Sequence, residues 1–481
     1  MVKYLEKIDN IWYYNYSKGE SELFRVVETF SGIGSQAKAL KNIGKKCEIL
    51  NTVDWDINAI IAYDAIHHST EILEKYKEMD KEELLKFLSK YTLSLNGKVP
   101  ATEKSIERLN IKLLRRLASA IDRTNNLVSI TDVKTYDLPD KFELLTYSFP
   151  CQDLSNAGFW HGNKGGIDRD ANNRSSMLWQ IERILIERKE DMKYNSNVEM
   201  PRFLLMENVT SILSKRNIEN FNDWKNSLKN LGYISQEISI NAINCGSVQK
   251  RKRTYMLSVY VDDCDEARKN KIQNYMYIEN LEKNIVHKDK YNDKYRYNKL
   301  FKEILKLDYS NKIYNREACI AQPNDTRSRR EIYEQTLQII NSNNEKIKNG
   351  IIPTITTKQD RKPNSGVIYF PAKYKGKSDF RYLTPRECFL LMGFSEEDYE
   401  KIINSDFQKN DRTNFFTTEK LYRMAGNSIV VQVLENIFKY VDKIEKECLE
   451  PNVILIEGKE LYKNRELTLF DFENGSLSFE V

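Results

Sequence analysis

The chain is short of the residues that build metal sites and covalent frameworks. Its 481 residues include seven cysteines, an odd number at scattered positions, and four histidines, and no CxxC pair occurs. A structural zinc site is therefore not indicated, and the cysteine usage suits a reducing compartment. Long apolar runs are missing too, none approaching the roughly 18 residues of a membrane-spanning helix. The opening MVKYLEKIDNIWYYNYSKGESEL mixes charges and aromatics without a signal-peptide core. These absences predict a cytoplasmic protein with no membrane partner and no metal. Charge of one sign is also not in large excess. With 75 Lys and Arg against 70 Asp and Glu, the net charge of +5 permits a nucleic-acid partner without requiring one. With 40% hydrophobic residues the chain can still fold, and its length exceeds one ordinary core.

The first organised segment is FRVVETFSGIGSQAKALKNIG. Phe24, Val26 and Val27 read as a buried strand and SGIGS as a tight turn. Ala37, Leu40 and Ile43 fall on one helix face that Gly44 closes. A second strand, CEILNTVDWD, ends at Asp54, about 20 residues past Gly34, where nucleotide-binding sheets place a carboxylate on ribose hydroxyls. Trp55 beside it offers an aromatic face. A glycine turn alone is as often a structural loop; the acid and the aromatic tip the reading toward binding. Residues 66–127 then interrupt the alternation with two charge-dense stretches. These read as two amphipathic helices over the sheet edge, with Ile106, Leu109, Leu113 and Leu117 keeping a helical period. The lesser reading has Lys112, Arg115 and Arg116 facing a phosphate backbone.

Sheet-like sequence resumes with LVSITDV and FELLTYSFPC. Phe142 to Phe149 predict a strand ending at Pro150, so Cys151 stands at a strand's C-terminal edge, where open α/β sheets put their ligands. A lone cysteine is usually an inert buried thiol; this placement argues otherwise. A further strand, Phe203 to Met206, is stopped by Glu207, which shares that edge if the strands are parallel.

Taken in order, FSGIG, PCQ, NRSSMLWQIERIL, ENV, QKRKR, RYLTPRECFLLMGF and AGNSIVVQVLENI resemble the motif series of the DNA (cytosine-5)-methyltransferase family, from about residue 24 to 440. The resemblance implies a doubly wound, Rossmann-like α/β sheet that uses S-adenosylmethionine, with a smaller target-recognition domain. It implies that Cys151 attacks cytosine C6, that Glu207 hydrogen-bonds near N3 and that Arg253 reaches O2, with Gln249 and Arg251 as supports. Phe30, Gly32 and Gly34 match the cofactor turn, Asp54 the ribose acid, Trp55 the adenine stack, Asp132 the acid near the adenine amino group, and Asn427 and Ser428 the late cofactor segment. Three departures stand out: Glu28 replaces the more common aspartate, no glycine precedes Asp132, and Val248 replaces the usual proline before Gln249.

The implied organisation is a catalytic domain over 1–261 with a helical insertion at about 66–127, a recognition domain over 262–380, a return to the catalytic domain over 381–445, and a tail over 446–481. The 262–380 stretch interleaves Arg316, Arg327, Arg329, Arg330, Lys358, Arg361 and Lys362 with Asn, Gln, Thr and Ser, the side chains that grip phosphates and read base edges. A duplex base must be rotated out to be reached. The expected partner is thus double-stranded DNA, met by a monomer at the bacterial nucleoid, with a cognate restriction endonuclease encoded nearby in restriction–modification types. The nearest alternative is a relative acting on transfer RNA, which the long basic block argues against. A non-catalytic DNA-binding relative is the other, and it would have lost Cys151, Glu207 or the glycine turn. The tail predicts short strands of unassigned role.

Overall fold

The computed structural model describes residues 23–151, 154, 166–169, 175–410 and 413–449, together with the backbone of short strand pairs near the two ends, Leu5–Ile8 with Ile11–Tyr14 and Val453–Ile456 with Lys459–Tyr462. The last pair agrees with the short strands expected of the tail.

Six strands form the central sheet: β1 (Phe24–Thr29), β2 (Cys47–Val53), β3 (Leu144–Tyr147), β4 (Phe203–Val209), β5 (Tyr233–Asn241) and β6 (Lys252–Tyr260), in spatial order β2-β1-β3-β4-β6-β5. The first four run parallel, and β6 runs antiparallel to both its neighbours, so the sheet is mixed. Alternate residues on each strand face opposite cores, as a sheet covered on both sides requires. Val26, Leu144, Phe203 and Leu205 join a core with α1 (Ser35–Asn42), α2 (Ile57–His67) and α3 (Ile111–Arg123). Val27, Leu145, Leu204 and Met206 join another with α4 (Leu178–Asp191) and α5 (Ile218–Asn230), where Trp224 is fully buried. Truncating a tryptophan so placed costs about 3–5 kcal/mol.

Three expectations change. The LVSITDV segment is not a strand: the residue before it, Asn126, makes one parallel bridge with Thr52, and the segment then turns. Asn126 Oδ1 accepts both the Val128 amide at 2.7 Å and the Asp54 amide at 3.2 Å, so a side chain takes the donors a ladder would have used. The insertion holds four short helices rather than two, because Asp80 and Asn110 each cap a new start and Asn110 interrupts the Ile106–Leu117 period. Of the three residues read as facing a phosphate backbone, Lys112 is exposed and the two arginines are engaged within the fold. Arg116 is buried against Asp64 at 2.7 Å and Arg115 donates to the Met79 carbonyl at 2.9 Å.

Beyond β6, helices Glu266–Tyr275 and Ile278–Ile285 place Ile272, Leu281 and Ile285 in the same core as α7 (Val431–Ile444). The opening helices of the 262–380 stretch are thus packed with the catalytic half. Further on lies a three-stranded sheet of Gln338–Ile340, Val367–Tyr369 and Phe380–Tyr382, with a small core of its own.

Candidate active site

The parallel order brings the ends of β1 to β4 to one edge, and the antiparallel β6 begins there, with Arg253 in register with Val209. At the end of β1 the backbone enters the left-handed region at Phe30 (φ 54°), Gly32 (φ 54°) and Gly34 (φ 78°). Gly34 is required twice over, by its φ and because a Cβ would sit 2.2 Å from His67 Nε2. The Gly32 amide donates to Asp54 Oδ2 and the Asp56 amide to Asp54 Oδ1, both at 2.9 Å. Burial, then the nearby Asp56 charge, raises the Asp54 carboxyl to about 6. One step back, Glu28 is fully buried with Oε2 accepting from Tyr63 at 2.7 Å, and burial lifts it to about 7, with Tyr63 and the Ala37 backbone opposing.

The cysteine loop is fastened residue by residue. Ser148 Oγ donates to the Phe30 carbonyl at 3.5 Å, Asn208 Nδ2 to the Phe149 carbonyl at 3.1 Å, and Ser175 Oγ to the Pro150 carbonyl at 2.7 Å. Cys151 is partly exposed, and its thiol is pushed up by burial and by the Glu207 charge, with Arg253 and Arg251 opposing. Arg253 Nε lies 3.4 Å from Glu207 Oε1, and burial raises the Glu207 carboxyl. Cys151, Glu207 and Arg253 therefore form one electrostatic unit at the strand ends. The flanking Gln152, Asp153 and Ser155–Gly158, and the start of the NRSS motif, lie outside the described residues.

The family model described as C-5 cytosine-specific DNA methylase matches residues 111–443. The orphan methyltransferase M.SssI of Spiroplasma monobiae is 31% identical, over 89% of this chain and 98% of that protein. The chain belongs to the C-5 cytosine-specific DNA methylases. This methylase is also 28% identical to the type II methyltransferase M2.ScrFI of Lactococcus lactis subsp. cremoris, over 88% of the chain and 99% of the relative. The S. pombe Dnmt2 methyltransferase structure covers 89% of this chain and 100% of its own at TM-score 0.48 and 15% identity.

Gln249 and Arg251 are both buried. Arg251 donates through Nη1 to the Ile355 carbonyl and through Nη2 to the Gly426 and Ser428 carbonyls, all at 3.0 Å, and burial lowers its guanidinium to about 9. Gln249 receives the Ile355 amide at 2.9 Å and donates to the Leu391 carbonyl at 3.4 Å. Both residues thus tie β6 to the 355 segment and to the return of the chain. Ser428 is buried, with Oγ donating to the Met424 carbonyl at 2.9 Å, and Asn427 is exposed beside it.

Other expected site residues lie apart or are already paired. Asp132 is exposed and accepts from its neighbour Thr131 at 3.1 Å, and among the described residues it shares no hydrogen bond with the glycine turn. Arg330 pairs with Asp325 at 2.8 Å and Arg329 with the Arg361 carbonyl and the Tyr382 hydroxyl. Arg361 pairs with Glu419 at 2.8 Å, and Arg316, Lys358 and Lys362 are exposed. Asn208, beside Glu207 near the end of β4, and Asn126 and Ser175 have fastening roles that depend on partners far along the chain, Phe149, Asp54 and Pro150.

Among the described residues no helix is long and apolar enough to cross a membrane, and no cluster of three or more His, Cys, Asp or Glu is placed to hold a metal.

Proposed function

We propose that the chain methylates C5 of a cytosine rotated out of double-stranded DNA at a specific sequence, through a covalent bond between Cys151 and C6. The observation that carries this reading is the Arg253–Glu207 pair at the edge that holds Cys151. Cytosine C5 is a poor nucleophile, and addition of a thiolate at C6 converts the ring into an enamine. Cys151 Sγ gives up its proton and bonds to C6. Glu207, its carboxyl already raised by burial, hydrogen-bonds at N3 and offsets the charge on the ring. Arg253 reaches O2 and holds Glu207 in place. Once C5 carries the methyl group that bound S-adenosylmethionine would supply, loss of the C5 proton to solvent reforms the C5=C6 double bond, and the C6–Sγ bond breaks with its electron pair returning to Cys151 as thiolate.

The donor set at the glycine turn fits S-adenosylmethionine. Asp54 is braced by two amides and keeps lone pairs for hydroxyls, Trp55 lies next to it, and a Cβ on Gly32 would meet open space. Bound there, the cofactor would supply the electrophilic methyl group; Asn427 and Ser428 would close the pocket from the other end of the chain.

The division of labour follows: 1–261 with 381–445 perform the chemistry, and exposed basic residues of 262–380 hold the duplex. The protein acts as a monomer in the bacterial cytoplasm.

The test is a duplex carrying 5-fluorocytosine at the target, found first by sequencing 5-methylcytosine in DNA of expressing cells. With cofactor present the enzyme and DNA should stay joined through denaturing electrophoresis, because fluorine cannot leave as a cation. The adduct should map to Cys151 and be absent from Cys151→Ser. An adduct at another cysteine, or methylation that persists in Cys151→Ala, overturns the assignment.

A further inference from the structure

The acid after Trp55 does work of its own. Asp56 Oδ1 accepts the Asn58 amide at 3.0 Å and starts α2, and Asp56 Oδ2 lies 2.9 Å from Arg423 Nη2. Arg423 sits on α6 (Thr418–Asn427), the helix that ends at Asn427 and Ser428. Its Nη1 donates to the Asn96 carbonyl at 3.0 Å, a residue of the helical insertion. The insertion in turn grips the strand end: the Ser94 amide donates to the Trp55 carbonyl at 2.8 Å and the Ile57 amide to the Ser94 carbonyl at 3.1 Å. Gly97 (φ 66°) lets this loop approach, since a Cβ there would stand 2.8 Å from Asp56 Oδ2.

Three parts of the chain thus meet on one ion pair whose side chains are 21% and 13% exposed. One carries Trp55, one carries Asn427 and Ser428, and one is the insertion. The two cofactor-facing segments are 367 residues apart between Asp56 and Arg423. No strand pairing joins α6 to β2, so their spacing depends on side chains. A half-buried pair of this kind is screened less than a surface one.

We infer that Arg423 is a positioning residue for the cofactor pocket: its bridge to Asp56 and Asn96 sets the distance between Trp55 and the Asn427–Ser428 turn. This rests on the proposed function, in that these segments flank S-adenosylmethionine. A positioning residue governs binding rather than the chemical step, so the loss should appear in cofactor affinity and leave turnover at saturation nearly intact.

The experiment uses the full chain. Calorimetric titration with S-adenosylhomocysteine and steady-state kinetics are run on wild type, Arg423→Ala, Arg423→Lys, Asp56→Asn and the double variant Arg423→Ala/Asp56→Asn. Arg423→Ala should weaken binding and raise the cofactor KM by about tenfold, the order expected when a partly buried charge pair is broken. Its kcat should stay within about twofold and its DNA KM unchanged. Arg423→Lys should recover most of the affinity. The double variant should be no worse than the poorer single one, as for two residues acting through one contact. If Arg423→Ala misfolds, Asp56→Asn and Arg423→Lys carry the comparison. Wild-type protein that fails to bind S-adenosylhomocysteine sinks the reading of the pocket. Wild type that binds, with Arg423→Ala binding equally well or losing kcat instead of affinity, overturns this inference alone.

Discussion

Arg253 Nε and Glu207 Oε1 face each other at 3.4 Å across the antiparallel β4–β6 register. Glu207 acts on two groups in opposite senses. Its charge raises the Cys151 thiol, and in the proposed reaction its carboxyl supports the ring that the thiol attacks. Glu207→Gln should therefore speed alkylation of Cys151 by iodoacetamide in the free protein, since less energy opposes the thiolate. The same variant should slow the 5-fluorocytosine adduct by about 10²-fold or more. Two rates that move together would separate Glu207 from one of these roles.

Each Asp54 oxygen accepts one amide, from Gly32 or Asp56, and keeps a further lone pair. Asp54→Ala should weaken S-adenosylmethionine binding by about 1–3 kcal/mol, through lost ribose contacts and a looser turn. Calorimetry reads this directly, and an unchanged Kd would mean that the acid serves the turn alone.

Glu28 links stability to pH. Its carboxyl lies at about 7 in the folded protein against 4.5 ordinarily, so between these values the folded state holds a proton that the unfolded state has released. Stability attributable to Glu28 is then full below about 4.5 and is lost as pH rises toward 7, by up to about 3 kcal/mol. His67, lowered from 6.5 to about 4, has the opposite slope, gaining stability as pH rises through that window. The two are separated by thermal unfolding of wild type and Glu28→Gln between pH 5 and 8: the variant should lose less stability on the way up. Parallel curves would remove Glu28 as the source.

The basic block divides under the same scrutiny. Arg327, with a side chain 94% exposed, is held only by Glu331 one turn along, whereas Arg329 is tied to the Arg361 carbonyl and the Tyr382 hydroxyl. Arg327→Ala should lower the salt slope of DNA binding by about one unit with little change in melting temperature. Arg329→Ala should lower the melting temperature first. Filter binding across a salt series checks both, and an unchanged slope for Arg327→Ala takes that residue off the DNA.

Much of this site was legible from sequence because its parts are local. The turn at Phe30–Gly34, the acid at Asp54 and the Pro150–Cys151 step each follow an apolar run, and parallel strands bring such ends to one edge. What stayed hidden depends on side-chain caps and pairings, near and distant, that composition and periodicity do not reveal. LVSITDV has strand composition, yet Asn126 takes its donors. Ile106 to Leu117 keep a helical period, yet Asn110 caps a new helix inside it. Asp132 has the right chemistry but a neighbour's hydroxyl for company. Arg423 lies in no patterned stretch, and only the fold brings it to Asp56.

The β1–β2 unit is closed by the far end of the chain. Asn42 Nδ2 donates to Glu435 Oε1 at 2.7 Å and Lys45 Nζ meets Asp442 Oδ1 at 2.8 Å, contacts spanning 393 and 397 residues. During synthesis at about 5–20 residues per second, α1 waits roughly 20–80 seconds for the helix it packs against. A ribosome-bound chain that stops short of α7 keeps Leu40 and its neighbours open to water. Synthesis of α7 is therefore what supplies the partners of Asn42 and Lys45.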